Sequence, residues 1–398
     1  MASSEHTYSD RTCRPEETLA RVAPALAEHG VTRLAKVTGL DCIGIPVWNV
    51  MRPNARSLSV HQGKGITDID AKASAVMEAL ERACAERSSL FVRTASAEEL
   101  VGEGRLCDTL DDLVAIGHQP LDSGCRLEWV EGQDLIGGRS IWVPLEAVRL
   151  DFTRSSHFWQ SSDGLASGNT DREAIFHGLL ERIERDADTL WSLERFERQA
   201  ATCVSSADLG DPVVTALVDR IERAGFMLRL FDMTSDLGVP TFSVLLAPAE
   251  ALSRRSLRYI DMTMGSGTHP IAYRAALRAI TEAVQSRLTL ITGTRDDVED
   301  DVYESEASEF LLRKLRLKPQ GRIPADLTLP GDGVEAMLAR LLEVLRDHGI
   351  GRVIAVRMNP GEERFSVMKM IVSGLEHPEG RRQRRFGARA LSRLLVFR

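Results

Sequence analysis

The sequence predicts a mixed α/β protein built on an internally repeated strand–loop–helix unit. Two observations carry this. The stretches "MEALERACAE" at 77–86 and "LLERIERDAD" at 179–188 both contain Glu-x-x-Glu-Arg, and "TEAVQSR" follows at 281–287, so similar segments recur about once per hundred residues. Each of these helical stretches also follows a glycine-rich stretch, where the apolar pattern changes from a strand period to a helical one.

Taken in order, "RPEETLARVAPALAEHG" opens like a helix, with Pro15 in its first turn, acids early and Gly30 at its end. The stretches "RLAKVTGLDCIGIPVWNVMRP" and "RSLSVHQGKG" read as strands joined by turns. Gly63-Lys64-Gly65 then leads into a long helix capped by Thr67 or Asp68, with Ile69, Ala73, Val76, Met77 and Leu80 on its apolar side. "SSDGLASGNTD" prepares a second helix, 171–195, whose buried stripe is Ile175, Phe176, Leu179, Leu180 and Ile183. The third, about 271–289, follows a strand "RYIDMTMG" and a loop "SGTHP". Helices at 212–224 and 333–347 and strands near 226–232, 240–247, "RVIAVRM" and "RFSVMKMIV" complete the alternation. No long linker interrupts it, so residues 1–398 are expected to form a single domain.

Composition narrows the function. The 398 residues are 43% apolar and 27% charged, which is globular usage. No apolar run approaches the ~18 residues of a membrane span, and the N-terminus lacks a basic-then-apolar secretory pattern. The six cysteines are scattered without a Cys-x-x-Cys pair, as expected in a reducing cytoplasm. A net charge of −8 argues against nucleic acid as a partner. An acidic run at 294–309 and a basic tail at 380–398 read as solvated faces.

The repeated carboxylates carry the chemistry. Ser74, Glu78 and Glu81 fall on one helical face, as do Glu173, His177, Glu181 and Glu184 on the second helix. Carboxylate pairs one turn apart can hold Mg²⁺, and a glycine-rich loop at a helix start can cradle phosphate. Arg82 and Arg185 would then pair with phosphate or neutralise carboxylates. The residues alone point to a Mg-nucleotide site between repeated units.

"GKGITDIDAKASAVMEALERACAE" and "GLASGNTDREAIFHGLLERIERDA" resemble the two ATP-binding signatures of the YcaO family, at 61–90 and 161–190. "GSGTHPIAYRAALRAITEAVQSRLTLITGTRDD" is similar to its third signature, at 265–298, and the N-terminal segment from residue 11 is similar as well. The resemblance implies a YcaO-type fold with ATP between lobes, Mg²⁺ on paired glutamates, and activation of a peptide-backbone amide by phosphorylation. Carried over by position, Glu78, Glu81, Glu181 and Glu184 would bind metal. Ser74, Asn169, Glu173, Arg185 and Arg287 would bind nucleotide, joined by Arg11 and Thr18, with Arg185 and Arg287 as the catalytic arginines. Lys64 enters on chemical grounds. No obvious base stands out; His177 and His269 are the candidates.

Azoline-forming members often end in a proline-rich tail, whereas this sequence has no proline after Pro378 and no fused substrate-binding domain. The expectation is therefore a thioamide-forming enzyme acting on a substrate peptide with a separate TfuA-like partner. An azoline cyclodehydratase is the alternative, and a non-catalytic nucleotide-binding protein a further one. A homodimer is left open.

Overall fold

The computed structural model describes residues 8–87, 89–253, 256–377 and 382–396. Helix α1 (Pro15–Glu28) leads into a three-stranded sheet of β1 (Arg33–Lys36), β2 (Val47–Met51) and β3 (Val60–Lys64), followed by α2 (Asp68–Glu86). Thr67 caps α2, accepting from Asp70 N at 3.3 Å while Asp70 Oδ2 accepts from Thr67 N at 3.2 Å. Next come β4 (Arg93–Ala95), α3 (Ala97–Gly102), β5 (Leu127–Asp134), β6 (Arg139–Pro144) and the short α4 (Leu145–Val148). Strand β7 (Leu165–Gly168) then feeds α5 (Asp171–Ser192), capped by Thr170.

The second half runs α6 (Phe196–Ala201), β8 (Cys203–Val204), α7 (Pro212–Arg223), β9 (Phe226–Asp232), β10 (Thr241–Pro248), β11 (Thr263–Thr268) and α8 (Ala272–Thr292). The short α9 (Asp301–Glu304) and α10 (Glu309–Leu315), then α11 (Val334–Asp347), β12 (Ile354–Arg357), β13 (Ser366–Ile371) and α12 (Ala388–Val396), complete it. The strands form three antiparallel sheets with orders β1-β2-β3, β11-β10-β9-β8 and β4-β5-β12-β13-β7, the last with β6 paired to β5.

The repeat sets this architecture. Each of β3, β7 and β11 stands at the end of its own sheet and is followed directly by α2, α5 or α8. Each helix packs on the strand before it and on the next one round, α2 on β7, α5 on β11 and α8 on β3, so the three units close into a ring. Backbones approach closely there. A methyl added at Gly63 would overlap Ala75 N and Ala71 O, and one at Gly267 would overlap Ala279 N and Ala275 O. The spacing is the same in both units. In the second unit the small residue lies on the helix, at Gly178, whose added methyl would meet Gly164 O and Met370.

This corrects one expectation. Gly63, Gly168, Gly265 and Gly267 are strand residues rather than phosphate-cradling loop residues, because any side chain there would run into helix backbone. The strand expected at "RYIDMTMG" starts only at Thr263, because Tyr259–Asp261 forms a 3₁₀ turn ahead of it.

Of five apolar cores among the described residues, three are large. One joins α1, α2 and the β5–β6 hairpin, a second packs α7 and α8 on β9 and β10, and a third packs α5 and α11 on β12 and β13. The sequence had assigned no elements between 93 and 148. The basic tail contains an amphipathic helix, α12, held to α5 by Arg389 pairing with Asp186 at 2.9 Å; Pro378 lies outside the described residues. In the acidic run, Asp296 accepts from Ser59 N at 2.7 Å, so that segment is tied to the start of β3. No described helix is long and apolar enough to cross a membrane.

Gly267→Ala tests the close approach. It should destabilise the fold by about 3 kcal/mol, the upper range for overpacking, in denaturant titration. Gly39→Ala, where an added methyl meets nothing within 4 Å, should stay within about 1 kcal/mol of the parent.

Candidate active site

The ring geometry brings equivalent positions of three helices together. Counting along α2, α5 and α8, Ser74 corresponds to His177 and Arg278, Glu78 to Glu181 and Glu282, and Glu81 to Glu184 and Gln285. Each middle glutamate reaches back to a backbone N–H at its own strand. Gln62 N donates to Glu78 Oε2 at 3.3 Å, Gly164 N to Glu181 Oε2 at 3.1 Å, and Ser266 N to Glu282 Oε1 at 3.3 Å. These bonds fix three carboxylates pointing the same way relative to their units.

The two arginines of the repeat neutralise carboxylates in the same i,i+4 manner. Arg82 Nε lies 3.3 Å from Glu78 Oε1, and Arg185 Nη2 lies 3.4 Å from Glu181 Oε1. Arg185 Nε also faces Asp163 Oδ1 at 3.7 Å, and Lys64 pairs with Glu282 across the β3–α8 contact. Ser167 Oγ donates to Glu81 Oε2 at 3.1 Å. Ser74 is exposed, one helical turn before Glu78.

Negative charge exceeds what these cations cover. Burial, with Glu78 and Glu181 nearby, pushes Glu81 well above the usual carboxylate range. Burial lifts Glu181, opposed by Arg185 and reinforced by Asp163. Burial, with Glu282 close by, pushes Glu184 up to about 7 despite Arg185, Arg278 and Lys64. Burial acts on Glu282 too, but Lys64 and Arg185 bring it net below its ordinary value. Such a set is relieved by bound cations.

A second group of sequence-selected residues assembles at the start of α5. Glu173, fully buried, accepts from Asn169 N at 2.8 Å and Asn169 Nδ2 at 3.1 Å, and from Thr12 N. Arg11 Nη1 sits 3.5 Å from Glu173 Oε2 and donates to Ser167 O at 3.0 Å, while Thr18 Oγ1 donates to Asn169 Oδ1 at 2.8 Å. Burial opposes ionisation of Glu173, yet Arg11 and the Thr12 hydrogen bonds hold it below its ordinary value.

Arg287 does not join these groups. Its guanidinium stacks 4.5 Å over the Phe226 ring, and its Nε lies 3.5 Å from the buried carboxylate of Asp41. The arginine that meets the acidic face is Arg278, one turn before Glu282, whose Nη1 lies 3.3 Å from His177 Nδ1. Among the described residues Arg278 has no carboxylate in salt-bridge contact, while its charge is felt at Glu184 and Arg11. Arg278 and Glu282 were missed in the sequence. Setting "TEAVQ" in register with "MEALE" and "LERIE" would have found them.

The histidines are not free bases. His269 Nδ1 accepts from Ile271 N at 2.9 Å, so its Nε2 carries the proton and donates to Asp10 Oδ2 at 3.0 Å. Burial, with Arg11 and Arg278 beside it, holds His177 neutral, and its buried Nε2 has no hydrogen-bond partner.

Among the described residues no three His, Cys, Asp or Glu groups converge tightly enough to hold a metal by themselves. Mg²⁺ takes one or two carboxylates per ion and fills its octahedron with water and phosphate. Glu78, Glu81, Glu181, Glu184 and Glu282 supply hard oxygen donors, and Arg11, Arg278 and the His177 Nε2–H are unsatisfied or cationic groups suited to phosphate. The residues fit Mg²⁺ and a nucleoside triphosphate.

Comparison with known proteins agrees. The model of the YcaO cyclodehydratase family, described as ATP- and Mg²⁺-binding, matches residues 62–376. An uncharacterized protein in the tfuA 3′ region of Rhizobium leguminosarum bv. trifolii is 38% identical over 381 residues, 93% of this chain and 89% of that protein. An uncharacterized protein of Methanothermobacter thermautotrophicus is 36% identical over 375 residues, 91% of this chain and 94% of that protein. The structure of YcaO from Methanopyrus kandleri bound with AMPPCP and Mg²⁺ superposes with a TM-score of 0.70 at 24% identity, covering 92% of both chains. A heterocyclase in complex with substrate and cofactor gives a TM-score of 0.75 at 22% identity, covering 92% of this chain but 53% of the heterocyclase. With its three-helix acidic site and a family match over most of its length, the chain belongs to the YcaO family of ATP- and Mg²⁺-dependent peptide-modifying enzymes.

Proposed function

We propose that this enzyme activates a peptide-backbone amide by phosphorylation and, with a separate TfuA-like partner, converts it to a thioamide. The observation that carries the phosphoryl-transfer reading is the meeting of the acidic faces of α2, α5 and α8 beside Arg278 and Arg11. The partner is supported by the relative described as lying in a tfuA 3′ region, which aligns over 93% of this chain and 89% of that protein, and the thioamide product is what the family resemblance implies for work with such a partner.

Mg-ATP, when bound, supplies the phosphoryl group that makes an amide oxygen a leaving group. The chain's own residues then have four tasks. Glu78, Glu81, Glu181, Glu184 and Glu282 hold the metal ions. Arg11 and Arg278, with Ser74 and Lys64 at the edge of the face, bind phosphate and stabilise charge that develops during transfer. Asn169, Glu173 and Thr18 fix the loop ahead of α5 and so position it against the nucleotide. Arg185, held by Glu181 and Asp163, keeps the carboxylates oriented and adds positive charge at the face. Neither histidine offers a free basic nitrogen, since His269 Nδ1 accepts from Ile271 N and His177 Nδ1 lies 3.3 Å from Arg278 Nη1.

The product is read by mass. Incubation with ATP, Mg²⁺, sulfide, a TfuA-like protein and the cognate peptide should raise peptide mass by about 16 units, one oxygen exchanged for sulfur after phosphoryl activation. A loss of about 18 units at Cys, Ser or Thr would instead establish azoline formation, which the likeness to a heterocyclase fold keeps in view. No mass change with any partner, despite tight nucleotide binding, would remove the catalytic reading.

Glu181→Gln with Glu184→Gln should abolish the thermal stabilisation conferred by Mg-ATP while leaving the melting temperature without nucleotide unchanged or higher. Persistence of the parental shift would remove these glutamates from the metal site. Arg278→Lys keeps the charge but loses the planar fork, and should lower peptide-dependent ATP turnover by about tenfold or more. Arg287→Lys should leave turnover within about threefold and act on stability, since it weakens the partner of buried Asp41. The reverse ranking would restore Arg287 to the catalytic role.

A further inference from the structure

Behind the acidic face, one buried cation ties the C-terminal strand β13 to the turn that precedes β7. Lys369 is 5% exposed, and its Nζ donates to Ser161 O at 2.6 Å and Asp163 O at 2.7 Å. It is the one charged residue of a strand buried along its whole length. A lysine in such a place costs several kcal/mol of desolvation unless its charge is used.

What it holds is the turn 161–164, and that turn sets two groups of α5. Gly164 N donates to Glu181 Oε2, and the Asp163 carboxylate faces Arg185 Nε at 3.7 Å and Arg182 Nη1 at 3.6 Å while accepting from His377 Nδ1 at 3.1 Å. The turn has little freedom of its own. Gly164 has φ +74°, its carbonyl accepts from Met370 N at 2.7 Å, and a methyl at Gly164 would overlap Met370 O. The peptide unit that aims an N–H at Glu181 is Asp163–Gly164, whose carbonyl Lys369 holds, and Met370 N holds the carbonyl of the unit after it. Charge runs the same way: Asp163, Glu181 and Glu81 all support the Lys369 ammonium, though burial draws it down to about 8.

We propose that Lys369 is a positioning residue for the second carboxylate pair, clipping the turn 161–164 so that Glu181 and Arg185 are pre-aimed at Mg²⁺. This rests on the reading of Glu181 as a metal ligand. Lys369 touches neither substrate nor metal; it acts through the turn. Groups of this kind commonly change metal affinity by ~10–100-fold when removed.

The test is a double-mutant cycle read on the Mg²⁺ dependence of binding a non-hydrolysable ATP analogue, by calorimetry on the full chain. Lys369→Met should weaken the apparent Mg²⁺ affinity about tenfold in the parent background and hardly at all in the Glu181→Gln background, because the two act on one ligand. Near-UV circular dichroism checks that each variant is folded. Equal losses in the two backgrounds, or no loss in either, would overturn the role of Lys369 while sparing the metal site. If Glu181→Gln itself retains parental Mg²⁺ affinity, the metal assignment and this proposal fall together. Should Lys369→Met not fold, Lys369→Leu, which also removes the donors to Ser161 O and Asp163 O, runs through the same cycle with the same two readings.

Discussion

The structure depends on how closely β3, β7 and β11 lie against the helices that follow them. Small residues at Gly63, Gly178 and Gly267 let strand and helix backbones touch where a single methyl would overlap main-chain atoms. That contact fixes each helix in rotation and along its axis, not merely in general position. Rotation decides which face points inward, and the inward face is the one that carries Glu78, Glu181 and Glu282. The N–H groups of Gln62, Gly164 and Ser266 then find the middle glutamate of each helix without further adjustment. Packing and chemistry share one constraint.

The electrostatics follow from closing three such units into a ring. One acidic helix face in water is unremarkable, since exposed carboxylates are well solvated. Three faces turned toward one another lose that solvation, which is why Glu81, Glu181 and Glu184 are all raised by burial. The fold compensates only in part. Arg82 and Lys64 each pair with one carboxylate and Arg185 with two, and the third unit replaces the expected second glutamate by Gln285. Arg278 and Arg11 stand close enough to repel, with burial adding to the cost for Arg11. A site with uncovered carboxylates on one side and crowded guanidinium groups on the other is completed by metal cations and a phosphate chain together.

Much of this was legible in the sequence, for a physical reason. Helical periodicity puts Ser74, Glu78 and Glu81 on one face whatever the tertiary structure, and the cap at Thr67 fixes where the helix begins. The same logic grouped Glu173, His177, Glu181 and Glu184. What periodicity cannot report is which segments meet. The glycines read as loop residues because their reason for being small, a helix backbone across the strand, is a long-range contact. Arg287 enters from the likeness of the third signature, but its guanidinium stacks on Phe226 and pairs with Asp41, whereas Arg278, earlier on the same helix, lies against His177 of α5. Lys369 and Asp163 carry no local signal, since their importance comes from a turn and a strand about two hundred residues apart. The hairpin of β5 and β6 is hard to read because its alternation is broken by Gly132 and because the turn between the strands, 135–138, begins with the apolar pair Leu135 and Ile136.

The most direct test of the central claim is a crystal structure of the full chain with Mn²⁺ and a non-hydrolysable ATP analogue, with manganese located by its anomalous scattering. The account predicts manganese among Glu78, Glu81, Glu181, Glu184 and Glu282, with the triphosphate running toward Arg278 and Arg11. Nucleotide and metal ordered anywhere else, for instance in the cleft bordered by Trp191, Asp232 and Arg393, would contradict it.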